Sequence, residues 1–297
     1  MQNEDFPCYF RSTDRFSLEG QRLYLRSMAA ELAVLLVASV IGLVTFKDVT
    51  HARVQAAIAL VIIAIGIGLT LYIKFMRFEN DWYLGRALAE SIKSLSWKYV
   101  THGEPFVSGM TTEEADSKFI ETVRSVLDEN QKFVSTVYKN DDGVVITDRM
   151  REIRDLNFSE RKHIYIEDRV KNQQLWYNQK SVSNKRRANV MFWFIIIAQG
   201  ASLIYAIFMV AYPGIYNLVP ILSTLAAILL VWLQVKQHQE LSQSYAVAYN
   251  DIVLILNQAD YVDTEERFDI FVADAETAFS REHTMWIARR DVTAYKK

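Results

Sequence analysis

The side chains that most often do chemistry in proteins are few and scattered in this sequence. Its five histidines, His51, His102, His163, His238 and His283, stand far apart, and no two share the short spacing of a zinc-binding pair. The one cysteine, Cys8, can form neither an internal disulfide nor a cysteine-ligated metal site. Asp141-Asp142-Gly143 is too short for a calcium loop. Gly66-Ile67-Gly68 lies inside an apolar run, so it reads as a packing feature and not as a phosphate-cradling loop. The acidic pairs Glu113-Glu114 and Glu265-Glu266 suit solvated helix surfaces. No catalytic group, metal or cofactor is therefore expected, and the chain reads as a non-enzyme. What remains is the chemistry of a few uncharged polar groups in apolar surroundings, Gln199 and Ser202 first among them.

Those surroundings decide the architecture. The hydrophobic fraction is only 51% over 297 residues, yet the apolar residues are gathered into four blocks. A bilayer core about 30 Å thick needs roughly 20 apolar residues of helix to cross it. Spans are expected at about residues 28–46, 54–73, 190–210 and 218–235. The first carries one charge, Glu31, about one turn from its end and within reach of the headgroup region. The last two share a stretch, 188–235, without a single Asp, Glu, Lys, Arg or His, broken by the turn residues around Pro213-Gly214. A buried helix of a soluble protein keeps one face for water, and these blocks keep none.

Charge fixes the expected orientation. Arg11, Arg15, Arg22 and Arg26 precede the first span, and Lys74 and Arg77 follow the second. Lys180, Lys185, Arg186 and Arg187 precede the third, and Lys236 follows the fourth. By the positive-inside rule both termini and the long middle segment belong in the cytoplasm, with the two hairpin loops outside. No short apolar segment with a small-residue cleavage site precedes Arg26, so no cleaved signal peptide is expected. A net charge of −2 argues against nucleic acid as a partner.

The rest reads as helix. Phe78, Trp82, Ala89, Ile92, Leu95 and Trp97 predict that the second span continues as a helix to about residue 100, where His102-Gly103-Glu104-Pro105 stops it. Thr111 and Glu114 have the spacing of a capping box. Asn140 to Gly143 signals a turn, and Val144-Val145-Ile146 a short strand or extended piece. Further helical runs are expected over about 159–187, 236–258 and 262–290. The fold class is all-α: an integral membrane protein with two helix hairpins whose helices extend into a cytoplasmic bundle. Residues 1–110 form a first two-span module, 111–158 a helical connector, and 159–297 a second two-span module with C-terminal helices. Both hairpins enter from the same side, as a parallel repeat.

Within the spans, Ala57, Ala64 and Gly68 share one helix face, and Ala198, Ser202 and Ala206 share another. Small residues at such steps let helices approach closely in lipid, either within a hairpin or between subunits. No span carries a polar stripe. A water-filled path would therefore need several copies, and Gln199 and Ser202 are the candidate lining groups.

The segment from Trp82 to Tyr99, with Arg86, Glu90 and Trp97, and Gly103-Glu104-Pro105-Phe106 after it, resembles bacterial membrane proteins of the SLATT superfamily. Arg169, Gln173, Trp176 and Tyr177 before the second pair fit the same family, and Glu276 to Trp286, with Glu282, is similar to its C-terminal signature. The resemblance covers nearly the whole chain as two tandem copies of a two-span module. It implies a membrane effector of bacterial conflict and anti-phage systems, sited in the inner membrane and often found beside nucleotide second-messenger enzymes. The implied act is pore formation or membrane disruption by a homo-oligomer, triggered by a cytoplasmic protein or a nucleotide signal. Trp82, Trp97, Trp176 and Trp286 suit bundle cores or subunit contacts, and Arg86, Glu90 and Lys93 suit pairing along one helix face, Arg86 to Glu90 being a four-residue step. Other than the lipid bilayer itself, the alternative partners are cytoplasmic proteins gathered on a non-conducting scaffold. A secondary transporter fits less well, because the spans lack midplane charges.

Overall fold

The computed structural model describes residues 1–44, 46–130, 143–212 and 214–290, with side chains as far as Ser280 in the last helix. Its described residues form ten α-helices and no strand. These are α1 (Cys8–Ile41), α2 (Val49–Met76), α3 (Phe78–Thr101), α4 (Thr112–Asp128), α5 (Asp148–Arg154), α6 (Phe158–Ile164), α7 (Asn172–Ala211), α8 (Val219–Lys236), α9 (His238–Gln258) and α10 (Glu265–Arg290). A π-helical segment, Tyr165–Lys171, joins α6 to α7 without a break.

The helix ends follow local chemistry. Thr111 and Glu114 form the expected capping box: the Thr111 hydroxyl accepts from the Glu114 N–H at 3.2 Å, and the Glu114 carboxylate accepts from the Thr111 N–H at 2.9 Å. Asp48 caps α2 by accepting from the His51 N–H at 3.1 Å. Pro220 sits in the first turn of α8, where a missing N–H costs nothing. Val144 to Ile146 form no strand; the Val144 carbonyl accepts from the Cys8 N–H at 2.9 Å, which ties this extended piece to the start of α1. The expected turn at Asn140-Asp141-Asp142 lies outside the described residues, apart from Gly143 at φ +75°.

Four helical runs are long and apolar enough to cross a membrane. The lead-in helices α1 and α7, of 34 and 40 residues, are uninterrupted. The exits are not. The unbroken helix expected from the second span to residue 100 is interrupted at Arg77, at φ +52°, and α8 ends in the same way at Gln237, at φ +49°. Left-handed backbone at a non-glycine residue is costly, so these are sharp single-residue breaks. Each is closed by a backbone bond, Arg77 N–H to the Ile73 carbonyl at 3.3 Å and Gln237 N–H to the Leu233 carbonyl at 3.0 Å.

The chain divides into two compact units. A membrane unit comprises residues 21–78 and 182–242, and a bundle unit comprises residues 1–20, 79–181 and 243–297. Inside the membrane unit, several polar contacts join helices. Thr70 donates to the Glu31 carboxylate at 2.7 Å, Ser202 and Ser223 share a hydrogen bond at 3.0 Å, and Thr224 donates to Ser39 at 3.2 Å. The last of these links the two hairpins. The bundle unit has an aromatic core in which Trp97, Tyr99, Phe106, Phe119, Tyr165 and Phe268 are fully buried. Gly85 lies where α3 meets α1: a Cβ there would come within 3.0 Å of the Ser17 backbone nitrogen, so only glycine permits this approach.

Candidate functional site

The densest polar chemistry lies in the bundle unit, around three buried arginines. Two of them finish α3. Arg154 Nη1 donates to the Tyr99 carbonyl at 2.6 Å and the Phe106 carbonyl at 3.2 Å, and its guanidinium lies over the Tyr99 ring. Arg161 donates to the Thr101 carbonyl at 3.4 Å and pairs with Glu265. The last carbonyls of a helix have no partners within it, and cationic donors suit them best. His102, next in the chain, gives its Nε2 to the Arg154 carbonyl at 3.0 Å. Burial, then Arg154 and Arg161 nearby, pushes its pKa down to about 4.

The third arginine builds the centre. Arg169 and Tyr165 both lie on the π-helical segment, and both converge on Glu276 of α10. Arg169 Nε donates at 2.9 Å and Nη2 at 2.7 Å, while the Tyr165 hydroxyl donates at 3.0 Å. The guanidinium is stacked 4.7 Å from the Phe279 ring centroid. The two side chains are 2% and 0% exposed, so this ion pair is almost wholly withdrawn from water. Burial and the adjacent carboxylate hold the Tyr165 hydroxyl firmly protonated. On Arg169 burial opposes the charge, but Glu276 outweighs it and the guanidinium stays charged. π-Helical turns inside α-helices are found most often at functional positions.

Next to this pair are two adjoining cavities of about 180 and 190 Å³ that share Lys93, Asn172 and Gln173 in their walls. The first brings together three residues singled out from the sequence, Arg86, Glu90 and Trp176. Trp97 lines the second. Trp82 stands apart, stacked on Tyr83 at 4.6 Å, although its carbonyl accepts from the Ser17 hydroxyl at 2.9 Å. The side chains of Glu282 and Trp286 lie outside the described residues. Tyr165 and the Arg169–Glu276 pairing were not singled out from the sequence, and Lys93 only as a companion of Arg86 and Glu90 along one helix face. Both Arg169 and Glu276 sit in the recognised segments, but 107 residues separate them and no local pattern joins them.

The membrane unit sorts the remaining candidates by face. Ala198 and Ser202 are buried within the unit, and Ala206 is half-buried. The Ser202 hydroxyl is engaged by Ser223. Gln199, three residues before Ser202, is exposed at the edge of that face. Ala57, Ala64 and Gly68 are all exposed on α2, and a Cβ added to Gly68 would meet nothing within 4 Å. That stripe does not pack within its own hairpin. The inward face of α2 is the one carrying Ala59, Ile62 and Gly66.

Among the described residues, no group of three or more His, Cys, Asp or Glu is placed to hold a metal ion. The family model for the SMODS and SLOG-associating 2TM effector domain 3 matches residues 7–162, more than half of the chain. The model for the SMODS and SLOG-associating 2TM effector domain 1 matches residues 165–286. No curated protein and no solved structure matches the chain. The second match begins at Tyr165, the first residue of the π-helical segment, so each match takes in one hairpin. With two such domains in tandem and four membrane-length helices, the chain belongs to the SMODS- and SLOG-associating 2TM effector family, the SLATT superfamily, and is a membrane effector built from two two-span modules.

Proposed function

We propose that the protein acts as a homo-oligomer that perturbs or perforates the bacterial inner membrane when a signal reaches its bundle unit. The observation that carries this reading is the pair of effector-domain matches, each enclosing one hairpin. Two features of the membrane unit support it. The stripe of Ala57, Ala64 and Gly68 is exposed on α2, where close approach by a second copy would bury it. Gln199, the most polar side chain in the third span, is also exposed, which supports a path assembled between copies. Among the described residues the buried polar side chains of the unit are Asn184, Ser202, His238 and Ser242, a set that does not suit a path through one subunit. Lys and Arg in the flanks of the spans support an orientation with both termini and the bundle unit in the cytoplasm. The activity proposed is non-enzymatic, and the trigger is a cytoplasmic protein or a nucleotide signal.

The test is ion flux from liposomes holding the purified protein, with its mass measured in detergent. Flux from a defined oligomer, reduced in Gln199→Leu, supports the reading. A monomer, or an oligomer silent with and without candidate nucleotides and lysate from infected cells, rejects conduction and leaves a membrane scaffold.

A further inference from the structure

The wall of the second cavity of the bundle unit holds several donors beside the Asp168 carboxylate. Its wall includes Trp97 and Arg169, respectively 1% and 2% exposed. The indole Nε1 of Trp97 and the Nη1 of Arg169 have no hydrogen-bond partner among the described residues. Buried donors are almost always paired, so two orphans at one cavity call for an explanation. Lys93 adds three more N–H groups. Its ammonium makes no hydrogen bond and no close ion pair among the described residues, and it lies over the faces of Phe6 and Phe10, 5.7 Å from each ring centroid. The amides of Asn172 and Gln173 complete the junction with the neighbouring cavity.

The carboxylates nearby are already engaged. Glu276 takes three hydrogen bonds from Arg169 and Tyr165. Asp168 pairs with the terminal amine at 2.9 Å. Glu90 has partners of its own. Burial, then Glu90, raises the pKa of Asp14, and Lys93 nearby opposes that rise. Burial also pushes the Lys93 ammonium down, although Glu90, Glu276 and Asp14 nearby oppose that shift.

We propose that this cavity is a binding site for the phosphoryl group of a small molecule, held by Lys93 with the Trp97 and Arg169 N–H groups behind it. The donors outnumber what the two oxygens of a carboxylate accept, and the three terminal oxygens of a phosphoryl group match them better. A volume of about 190 Å³ is the share of about six waters in the liquid, enough for a phosphoryl group and part of its substituent. The adjoining cavity, with Trp176 in its wall, takes the remainder. Because Gln2, Asn3 and Phe6 also line the site, an occupant ties the N-terminal segment to α3 and to the π-helical segment. The site stands whether or not the protein conducts ions.

The test is the thermal melt of the full-length protein in detergent, with three separate probes: inorganic phosphate, a nucleoside monophosphate and a short-chain phosphatidic acid. A ligand that binds only the folded state raises the melting temperature with its concentration. At least one probe is expected to do so. The shift should vanish in Lys93→Met, fall in Trp97→Phe, and persist in Lys98→Met, whose lysine lines neither cavity. Each variant is first melted without ligand, so that a loss of fold is not read as a loss of binding; if Lys93→Met melts early, Lys93→Arg must retain the shift. Whichever probe binds most tightly identifies the source as free phosphate, nucleotide or lipid. A shift undiminished in Lys93→Met, or no shift with any probe at millimolar concentration, overturns the proposal.

Discussion

In the bundle unit, Arg154, Arg161 and Arg169 are each at most 3% exposed and keep their charge, held by carbonyls, by carboxylates and by aromatic faces. In the membrane unit, the buried polar residues among those described are Asn184, Ser202, His238 and Ser242, none with a permanent charge. Ser202 is satisfied by another hydroxyl, and His238 by the Asn184 amide oxygen at 2.7 Å. The difference follows from what surrounds each unit. A bundle in water recovers the cost of burying a charge through hydrophobic burial elsewhere, and uses the charge to fix one register of packing. A unit in lipid has no such drive between its helices and relies on close approach of small residues and a few neutral hydrogen bonds. Specificity is therefore electrostatic in one unit and steric in the other.

The sharpest way to break this contrast is to remove the charge at the centre of the bundle. Glu276→Ala leaves the Arg169 guanidinium buried without a counter-ion, and loss of one partner of such a pair costs about 3–5 kcal/mol. The bundle is expected to melt well below the wild type, followed by tryptophan fluorescence. Glu276→Gln keeps the shape and some acceptors, so it should fall between the two. A Glu276→Ala melt indistinguishable from wild type would mean that the pair does not organise the bundle.

The steric counterpart is Ala198→Phe in α7. Ala198 is buried in the membrane unit, and overpacking a filled site costs about 1–3 kcal/mol. Its expected sign is early unfolding of the purified protein in a denaturant titration, with the Ser202–Ser223 contact one turn away disturbed first. Tolerance of the ring would show that α7 is not tightly packed there.

Acid offers a smaller and graded test of the bundle. His102 has a pKa of about 4 when folded and about 6.5 when unfolded, so the unfolded chain binds the extra proton first. Its contribution is fully present above pH 6.5 and is lost as pH falls towards 4. After a discount for its partial exposure, the loss amounts to about 1–2 kcal/mol. Stability measured between pH 7 and pH 4.5 should fall less steeply in His102→Asn than in the wild type. Parallel slopes would assign the acid sensitivity to other groups.

What could be read from the sequence divides along the same line. The four spans were legible because lipid demands long uncharged runs, and the Thr111–Glu114 box because capping is local. The breaks at Arg77 and Gln237 were not, because neither residue carries the usual glycine or asparagine signal for left-handed backbone. The central pair escaped notice for a different reason: Arg169 and Glu276 were both in recognised segments, yet only tertiary packing brings them together. Arg86, Glu90 and Trp176 were singled out as bundle residues, and the structure gathers them around one cavity without making them its centre. In the spans, spacing identified which small residues share a face but not where that face points. A helix apolar on every side has no polar face to turn towards water, so its sequence alone does not orient it.

That ambiguity makes the two small-residue stripes the finest test of the contrast. Ala198, Ser202 and Ala206 turn into their own subunit, while Ala57, Ala64 and Gly68 lie on its surface. Bulk added to the second stripe meets no neighbour in the same chain, so Ala64→Leu with Gly68→Leu should change subunit stability by no more than about 0.5 kcal/mol, as surface changes do. If a second copy packs there, the same pair of changes should shift the protein to a lower mass in detergent and reduce liposome flux. An unchanged mass, with the subunit still folded, would leave the stripe facing lipid and move the search for the subunit contact to the surface around Gln199. Unfolding instead would mean that the stripe packs within the subunit after all, and that the steric rule found for α7 holds for α2 as well.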